Sequence, residues 1–150
     1  MFAALGAFGF GWLEGRIGPK KTVMLTLFWW IIGVLGIYLL RPIAALANID
    51  PKLVFYGLGV IAGSGIGATQ ASSRTVVGLL TPPDRVAQMF GFWGMFSRMG
   101  SILGALGFGI VSDVFSRQTG VLVILVFFVA GAALLARVDV DRGIREAQRA

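Results

Sequence analysis

The sequence predicts an all-α polytopic membrane protein with four full transmembrane helices and a partial one at the N-terminus. Of its 150 residues, 57% are hydrophobic and 13% charged, whereas a soluble domain carries about 25% charged residues. The mean hydropathy is +0.85, and a soluble globule this small has too much surface for its volume to hide such apolar content. Four apolar stretches also match the ~20 helical residues that cross a bilayer core.

The apolar stretches follow one another along the chain. Residues 1–13 would cover only ~20 Å at about 1.5 Å per residue, so we interpret them as the end of a span and expect the chain to be part of a longer protein. The full spans are predicted at residues 22–40, 53–77, 86–111 and 120–136. Residues 1–137 therefore form the predicted transmembrane region, and residues 138–150 form a polar cytoplasmic tail.

Two breaks between spans carry helix-start signals. Asp50 precedes Pro51, which places a capping carboxylate before a first-turn proline. Thr81 is followed by two prolines and Asp84, so we expect its hydroxyl to cap the third full span, with an acid three residues after the cap.

The basic residues predict the orientation, because lysine and arginine are enriched in cytoplasmic loops. Three lie on one side of the predicted spans, at Arg41, Lys52 and Arg117, and Arg98 lies within a span. Nine lie on the other side: Arg16, Lys20, Lys21, Arg74, Arg85, Arg137, Arg142, Arg145 and Arg149. We therefore expect the C-terminus of this integral membrane protein to lie in the cytoplasm. We also expect the membrane to be a bacterial inner membrane.

The composition also excludes several chemistries. The chain has no cysteine and no histidine, which removes disulfides, thiol nucleophiles, imidazole bases and the usual zinc sites. An integral membrane enzyme would need clustered acids or histidines at the interface, and the sequence shows none, so we expect no enzymatic activity, no cofactor and no metal. The net charge of +6 reflects the membrane orientation and not a nucleic-acid patch.

The spans differ in polarity. The first and fourth full spans are uniformly apolar. Trp29 and Trp30 in the first, and Phe127 and Phe128 in the fourth, are expected to face lipid. The second carries small and polar residues at three- and four-residue steps, a pattern that permits close helix packing. These residues are Gly59, Gly63, Gly67, Gln70 and Arg74.

The third full span places a charge in the membrane. Arg98 shares a face with Gly91, Gly94, Ser101 and Ala105, near the middle of the span. An arginine at that depth costs at least ~2.5 kcal/mol, so it needs water, an anionic ligand or a carboxylate from other helices. Contact with a substrate or counter-ion is one reading, and a structural arginine tied to another helix is the other.

The segment Gly11–Lys21 reads Gly-Trp-Leu-Glu-Gly-Arg-Ile-Gly-Pro-Lys-Lys. It resembles the signature loop of major facilitator superfamily (MFS) transporters, Gly-x-Leu-Ala-Asp-Arg-x-Gly-Arg-Lys/Arg. Gly15 stands in place of the aspartate and Pro19 in place of an arginine. The resemblance implies a gating loop that latches the two transporter halves, and a tight basic turn is the alternative. The gating residues would be Gly11, Arg16, Gly18, Lys20 and Lys21.

Residues 70–74, 82–85, 90–92 and 104–109 resemble one MFS branch, which contains the vacuolar amino-acid effluxer of autophagy and its bacterial relatives. The resemblance implies that the chain is the C-terminal part of an MFS fold, from the end of helix eight to helix twelve. It also implies secondary transport of a small solute, with amino acids as candidates, by alternating access. The substrate-pathway candidates are Arg98, Gln70, Ser73, Arg74 and Ser101.

Structural roles for the pathway candidates, and other functions for the chain, remain as alternatives. Arg74 suits snorkelling to the membrane surface, and Gln70 and Ser73 suit interhelical hydrogen bonds. A small self-assembling exporter or pore, or a fragment that does not transport, are the alternative functions. The expected partners are the lipid bilayer, a small-molecule substrate and the missing N-terminal helices of the same transporter, with no nucleic acid.

Overall fold

Helices make up most of residues 2–148, the residues that the computed structural model describes. No strand occurs in that range, which confirms the predicted all-α fold class. Met1 of the first predicted span and Arg149 of the predicted tail lie outside the described residues. The elements are α1 (Phe2–Ile17), α2 (Pro19–Tyr38), α3 (Leu40–Ala47), α4 (Pro51–Leu79), a 3-10 turn (Pro83–Arg85), α5 (Val86–Val114), α6 (Arg117–Arg137) and α7 (Val140–Ala147).

Four helices are long and apolar enough to cross a membrane, which confirms the four predicted full spans. They are α2, α4, α5 together with its preceding 3-10 turn, and α6. Each extends beyond the predicted apolar stretch at one or both ends, because polar and capping residues continue a helix past its hydrophobic part. The 16 residues of α1 would reach only ~24 Å, short of a typical bilayer core.

The connection between α1 and α2 is a single glycine. Gly18 has a φ of 86°, in the region that side chains disfavour and glycine adopts freely. Its N–H donates to the Glu14 carbonyl at 3.0 Å, its carbonyl accepts from the Thr22 hydroxyl at 2.9 Å, and Pro19 starts α2. The predicted loop from Gly11 to Lys21 is therefore wrong as a loop, since α1 continues to Ile17 and only Gly18 breaks the helix.

Of the two predicted helix-start signals, the structure confirms one. Asp50 caps α4, with its Oδ1 accepting from the Lys52 N–H at 2.8 Å. The predicted Thr81 cap is wrong, because the Thr81 hydroxyl donates to the Val77 carbonyl of α4 at 2.5 Å. Pro83 holds Pro82 in an extended conformation, as expected of a residue before proline, and this separates Thr81 from α5.

The long helices pack as neighbours in the order α1, α4, α2, α6, α5. Two contacts show that α2 and α6 run antiparallel: the Lys20 ammonium binds the Val138 carbonyl at 2.6 Å, and the Gln118 amide donates to the Tyr38 carbonyl at 2.8 Å. We call these two ends of the bundle the Lys20 end and the Gln118 end. Contacts between α4 and α5 are sparse, which leaves a groove between these two helices.

The two tryptophans of α2 face its neighbours and not lipid, so the prediction of lipid contact is wrong for them. The Trp29 indole N–H lies within hydrogen-bonding distance of the Ile61 carbonyl at 3.0 Å and of the Ser64 hydroxyl at 3.1 Å. The Trp30 indole N–H donates to the Thr69 hydroxyl at 2.9 Å. The physical reason is that an indole N–H has no partner in hydrocarbon, and a neighbouring helix supplies one.

The small-residue stripe of α4 packs against α1 over part of its length. A Cβ added at Gly67 would overlap the Ala3 carbonyl oxygen, and one added at Gly63 would lie 3.3 Å from the Phe2 Cβ. Nothing lies within 4 Å of a Cβ added at Gly59. The stripe is thus a close helix contact at Gly63 and Gly67, and it opens towards the N-terminal half of α4.

The segment after α6 folds into a short helix instead of continuing as a polar tail. The Asp139 carboxylate caps α7 by accepting from the Arg142 N–H at 2.9 Å. Val140 and Ala147 are buried, and Gly143 lies against Leu80 at the end of α4. An Asp cap followed by apolar residues at helical spacing is the signal that predicts this helix.

Candidate functional site

A large concave surface lies in the groove between α4 and α5. Its volume is about 920 Å³, and α2 and α6 form its floor. The lining is mainly apolar and aromatic, with Trp93, Phe96 and Phe127 among the largest side chains. Binding pockets for small molecules are typically of this size and character.

Three hydroxyl groups supply the polar part of the groove lining. The Thr69 hydroxyl accepts from Trp30 at 2.9 Å. Ser97 and Ser101 donate to carbonyls one turn earlier on α5, at 2.7 and 3.0 Å. Each hydroxyl therefore already has one partner and keeps lone pairs with which it can accept from a ligand.

Arg74 joins the two sides of this groove. Its guanidinium lies over the Trp93 ring, 5.2 Å from the ring centroid, which is a cation–π contact between α4 and α5. Gln70, one turn earlier on α4, is exposed and does not line the groove. Ser73 also lies outside the groove, and its hydroxyl faces the Gln70 carbonyl at 3.4 Å.

Arg98 lies on the side of α5 that faces away from the groove. It is exposed, and it sits two residues from Gly100, the midpoint of α5. Phe96 and Gly100 line the groove, and a separation of two residues turns a helix by about 200°. Gly91 and Gly94 on the Arg98 face have nothing within 4 Å of an added Cβ.

The structure therefore does not gather the five predicted pathway residues into one pocket. Ser101 lines the groove, Arg74 reaches it through Trp93, and Gln70 and Ser73 lie outside it. Arg98 forms no salt bridge with any carboxylate among residues 2–148. A partner for Arg98 outside residues 2–148 stays a prediction.

The five predicted gating residues lie at or near the Lys20 end. Gly11 is exposed on α1, and the Arg16 guanidinium stacks over the Trp12 ring of its own helix at 3.8 Å. Gly18 forms the turn, and Lys21 is exposed. These contacts are local, so the latch between transporter halves stays a prediction.

Lys20 makes a contact that sequence reasoning missed. Its ammonium donates to the Ala136 carbonyl at 3.3 Å and to the Val138 carbonyl at 2.6 Å. The last carbonyls of a helix carry partial negative charge and lack partners within the helix, so a lysine there caps α6. The only sequence signal was a basic residue in the first turn of a helix, which does not identify a distant partner.

Metal ions have no evident site in the described residues. No group of three or more aspartate, glutamate, histidine or cysteine side chains comes together between residues 2 and 148. The exposed polar groups along α4 and α5 include hydroxyls, the amides of Gln70 and Gln88 and two guanidiniums, with Lys52 and Asp113 near the helix ends. Hydroxyls, amides and guanidiniums suit hydrogen bonding to a polar or anionic solute.

Comparison with known proteins places this arrangement in a family. The family model described as vacuole effluxer Atg22 like matches residues 1–148. Autophagy-related protein 22 of Kluyveromyces lactis is 30% identical over 99 residues, which is 65% of this chain and 20% of that protein. Autophagy-related protein 22 of Pichia angusta is 25% identical over 138 residues, or 88% of this chain and 24% of that protein.

A bacterial protein matches as well. The uncharacterized MFS-type transporter YxiO of Bacillus subtilis is 26% identical over 128 residues, which is 85% of this chain and 29% of that protein. The chain thus spans less than a third of the length of these relatives. No solved structure matches significantly. With its four membrane-spanning helices, the chain is an integral membrane protein that belongs to the family of vacuole effluxer Atg22-like proteins.

Proposed function

We propose that this chain is part of an MFS-type secondary transporter that moves a small solute across the bilayer by alternating access. Amino acids are the first candidates for the solute. The family description names an effluxer, and the Bacillus subtilis relative is named an MFS-type transporter. Because the chain spans less than a third of its relatives, further transmembrane helices are part of the proposal as its partners. The proposal includes no enzymatic activity.

The exposed position of Arg98 is the observation that carries this proposal. The guanidinium lies near the middle of a membrane-spanning helix and has no salt bridge within residues 2–148. Exposure to lipid at that depth would cost at least ~2.5 kcal/mol. The Arg98 face of α5 therefore needs a cover that is polar or aqueous, which is what a solute pathway between transporter halves provides.

The neighbours of Arg98 fit such a pathway. None of the residues of α5 is buried by the rest of the described chain, so the helix presents its faces to other elements. Gly91 and Gly94 leave open space beside Arg98, which gives room for a solute or for hydration. In this proposal Arg98 holds an anionic group of the solute, such as a carboxylate, by charge-assisted hydrogen bonds.

Transport by the full-length protein in proteoliposomes loaded with radiolabelled amino acids tests the role of Arg98. We expect Arg98→Ala to lower efflux at least about tenfold, since a hydrogen bond to a charged group contributes roughly 1.5–3 kcal/mol. Arg98→Lys keeps the charge and should retain partial activity. Arg85→Ala is the matched control, because Arg85 is exposed and its salt bridge within residues 2–148 is with the neighbouring Asp84.

Normal efflux by a folded Arg98→Ala protein would refute the proposed role. Size-exclusion chromatography of each variant separates loss of transport from loss of folding. A protein that loses its monodisperse peak with both Ala and Lys at position 98 would show a structural arginine instead.

We further propose that the Lys20 end faces the cytoplasm of a bacterial inner membrane. The charge pattern predicts nine basic residues on this side. The Lys20–Val138 contact supports the view that the start of α2 and the end of α6 share one side. The chain has no cysteine, so single-cysteine variants are informative. An impermeant thiol reagent added outside cells should label Asn48→Cys and not Gln148→Cys, and the reverse pattern would invert the orientation.

A further inference from the structure

A second pocket lies at the Gln118 end, away from the groove. Its volume is about 500 Å³, and it lies between the end of α2, the start of α3, α5 and the first turn of α6. Arg41 and Arg117 both line it. These two residues come from elements far apart in the sequence, and the helix packing brings them to the same pocket.

The charge of this pocket is unusual for its position. The sequence predicts only three basic residues on this side of the membrane, and two of them line this one pocket. The lining contains no aspartate or glutamate, and neither guanidinium forms a salt bridge within residues 2–148. Two unpaired arginines in one concave surface favour an anion that both can bind.

The first turn of α6 adds to the positive character of the pocket. Ser116 and Gln118 line it beside Arg117, and the N-terminus of a 21-residue helix carries partial positive charge. The Gln118 amide donates to the Tyr38 carbonyl at 2.8 Å. This hydrogen bond ties α6 to the end of α2 and so holds the two sides of the pocket together.

The remainder of the pocket is apolar. Ile37, Leu40, Phe108 and Val121 line it together with the polar groups. Because Tyr38 ends one membrane-spanning helix and Arg117 begins another, the pocket lies at the membrane interface. A ligand that fits has a phosphate at one end and hydrocarbon at the other.

We propose that this pocket binds the phosphate headgroup of an anionic phospholipid, with Arg41 and Arg117 as the phosphate ligands and the apolar wall along the first part of an acyl chain. Phosphate is the shared chemistry, and free inorganic phosphate is the other source of it. The hydrocarbon wall favours the lipid. This site lies on a different surface from Arg98 and does not depend on the transport function.

Lipid binding to the full-length protein in detergent, measured by native mass spectrometry, tests the proposal. The probes are phosphatidylglycerol, phosphatidylcholine and inorganic phosphate. We expect the wild type to bind phosphatidylglycerol more tightly than it binds phosphatidylcholine. The double variant Arg41→Gln/Arg117→Gln should bind phosphatidylglycerol at least about tenfold more weakly than the wild type does, which corresponds to ~1.4 kcal/mol. Lys52→Gln removes the third basic residue on this side, which does not line the pocket, and should bind as the wild type does.

Equal affinity of the wild type and the double variant for phosphatidylglycerol would overturn the site. Phosphatidylcholine that binds as tightly as phosphatidylglycerol would also overturn it. If inorganic phosphate displaces the lipid at an equal concentration, the proposal that the ligand is a lipid would be overturned. Arg41→Lys/Arg117→Lys is a second variant that keeps the charge, so binding intermediate between wild type and double Gln variant supports direct contact.

Discussion

Replacing Lys20 with methionine removes the contact that ties the start of α2 to the end of α6. Methionine keeps an unbranched side chain of similar length but has no hydrogen-bond donor. In the wild type the ammonium donates to two carbonyls, those of Ala136 and Val138, at 3.3 and 2.6 Å. Lys21→Met is the matched control, because Lys21 is exposed and makes no comparable contact within the described residues.

The size of the effect follows from these two hydrogen bonds. Hydrogen bonds to a charged group contribute roughly 1.5–3 kcal/mol, and a cation at a helix C-terminus about 0.3–1 kcal/mol. The contact is exposed, so solvent screening reduces both contributions. We expect Lys20→Met to lower the local stability at the end of α6 by ~1–2 kcal/mol.

Hydrogen–deuterium exchange measured on the intact protein in detergent reports this loss directly. A change of ~1–2 kcal/mol raises the open fraction by about 5- to 30-fold. We expect that increase in the exchange rates of amides from the last turn of α6 through α7. Lys21→Met should leave them unchanged. Exchange rates in Lys20→Met that equal those of the wild type, or an increase of the same size in both variants, would refute the capping role of Lys20.

Two further predictions concern helix packing. Gly67→Ala should destabilise the protein by ~1–3 kcal/mol, because the added Cβ overlaps the Ala3 carbonyl. Gly59→Ala should not destabilise it, because an added Cβ there has open space. Thermal denaturation in detergent compares the two variants, and equal losses of stability would contradict the packing described for the stripe. Trp30→Phe should cost ~1–3 kcal/mol by leaving the Thr69 hydroxyl without its indole donor, and an unchanged melting temperature would show that this hydrogen bond contributes little.

Hydrophobic length predicted the spans well, because crossing a bilayer imposes a minimum number of apolar residues whatever the neighbours are. The Asp50 cap was predictable for a similar reason, since the cap and the helix it starts are adjacent in sequence. Thr81 shows where a local signal fails. Its hydroxyl could cap the helix that follows or donate to a carbonyl of the helix that precedes it. Because Pro82 and Pro83 force an extended conformation after Thr81, the hydroxyl bonds to the preceding helix.

Features that depend on which helices touch could not be read from the sequence. Trp29 and Trp30 look like lipid-facing aromatics until α4 supplies acceptors for their N–H groups. The same reason explains why Ser101 lines the groove while Arg98 faces away from it. The two residues are close on α5, but the position of the groove depends on the absence of close α4–α5 packing. Likewise, Arg41 and Arg117 line one pocket only because the helices pack into a bundle.

Labelling of two neighbouring positions on α5 tests the central claim that the Arg98 face lines an aqueous pathway. Ala105 lies seven residues from Arg98, on the same face, whereas Leu103 lies about 140° from Arg98 around the helix axis. Both are exposed in the described chain and differ little in depth. In the full-length protein without other cysteines, an impermeant methanethiosulfonate should modify Ala105→Cys and not Leu103→Cys. Modification of Leu103→Cys alone, or of neither position from either side of the membrane, would contradict the pathway.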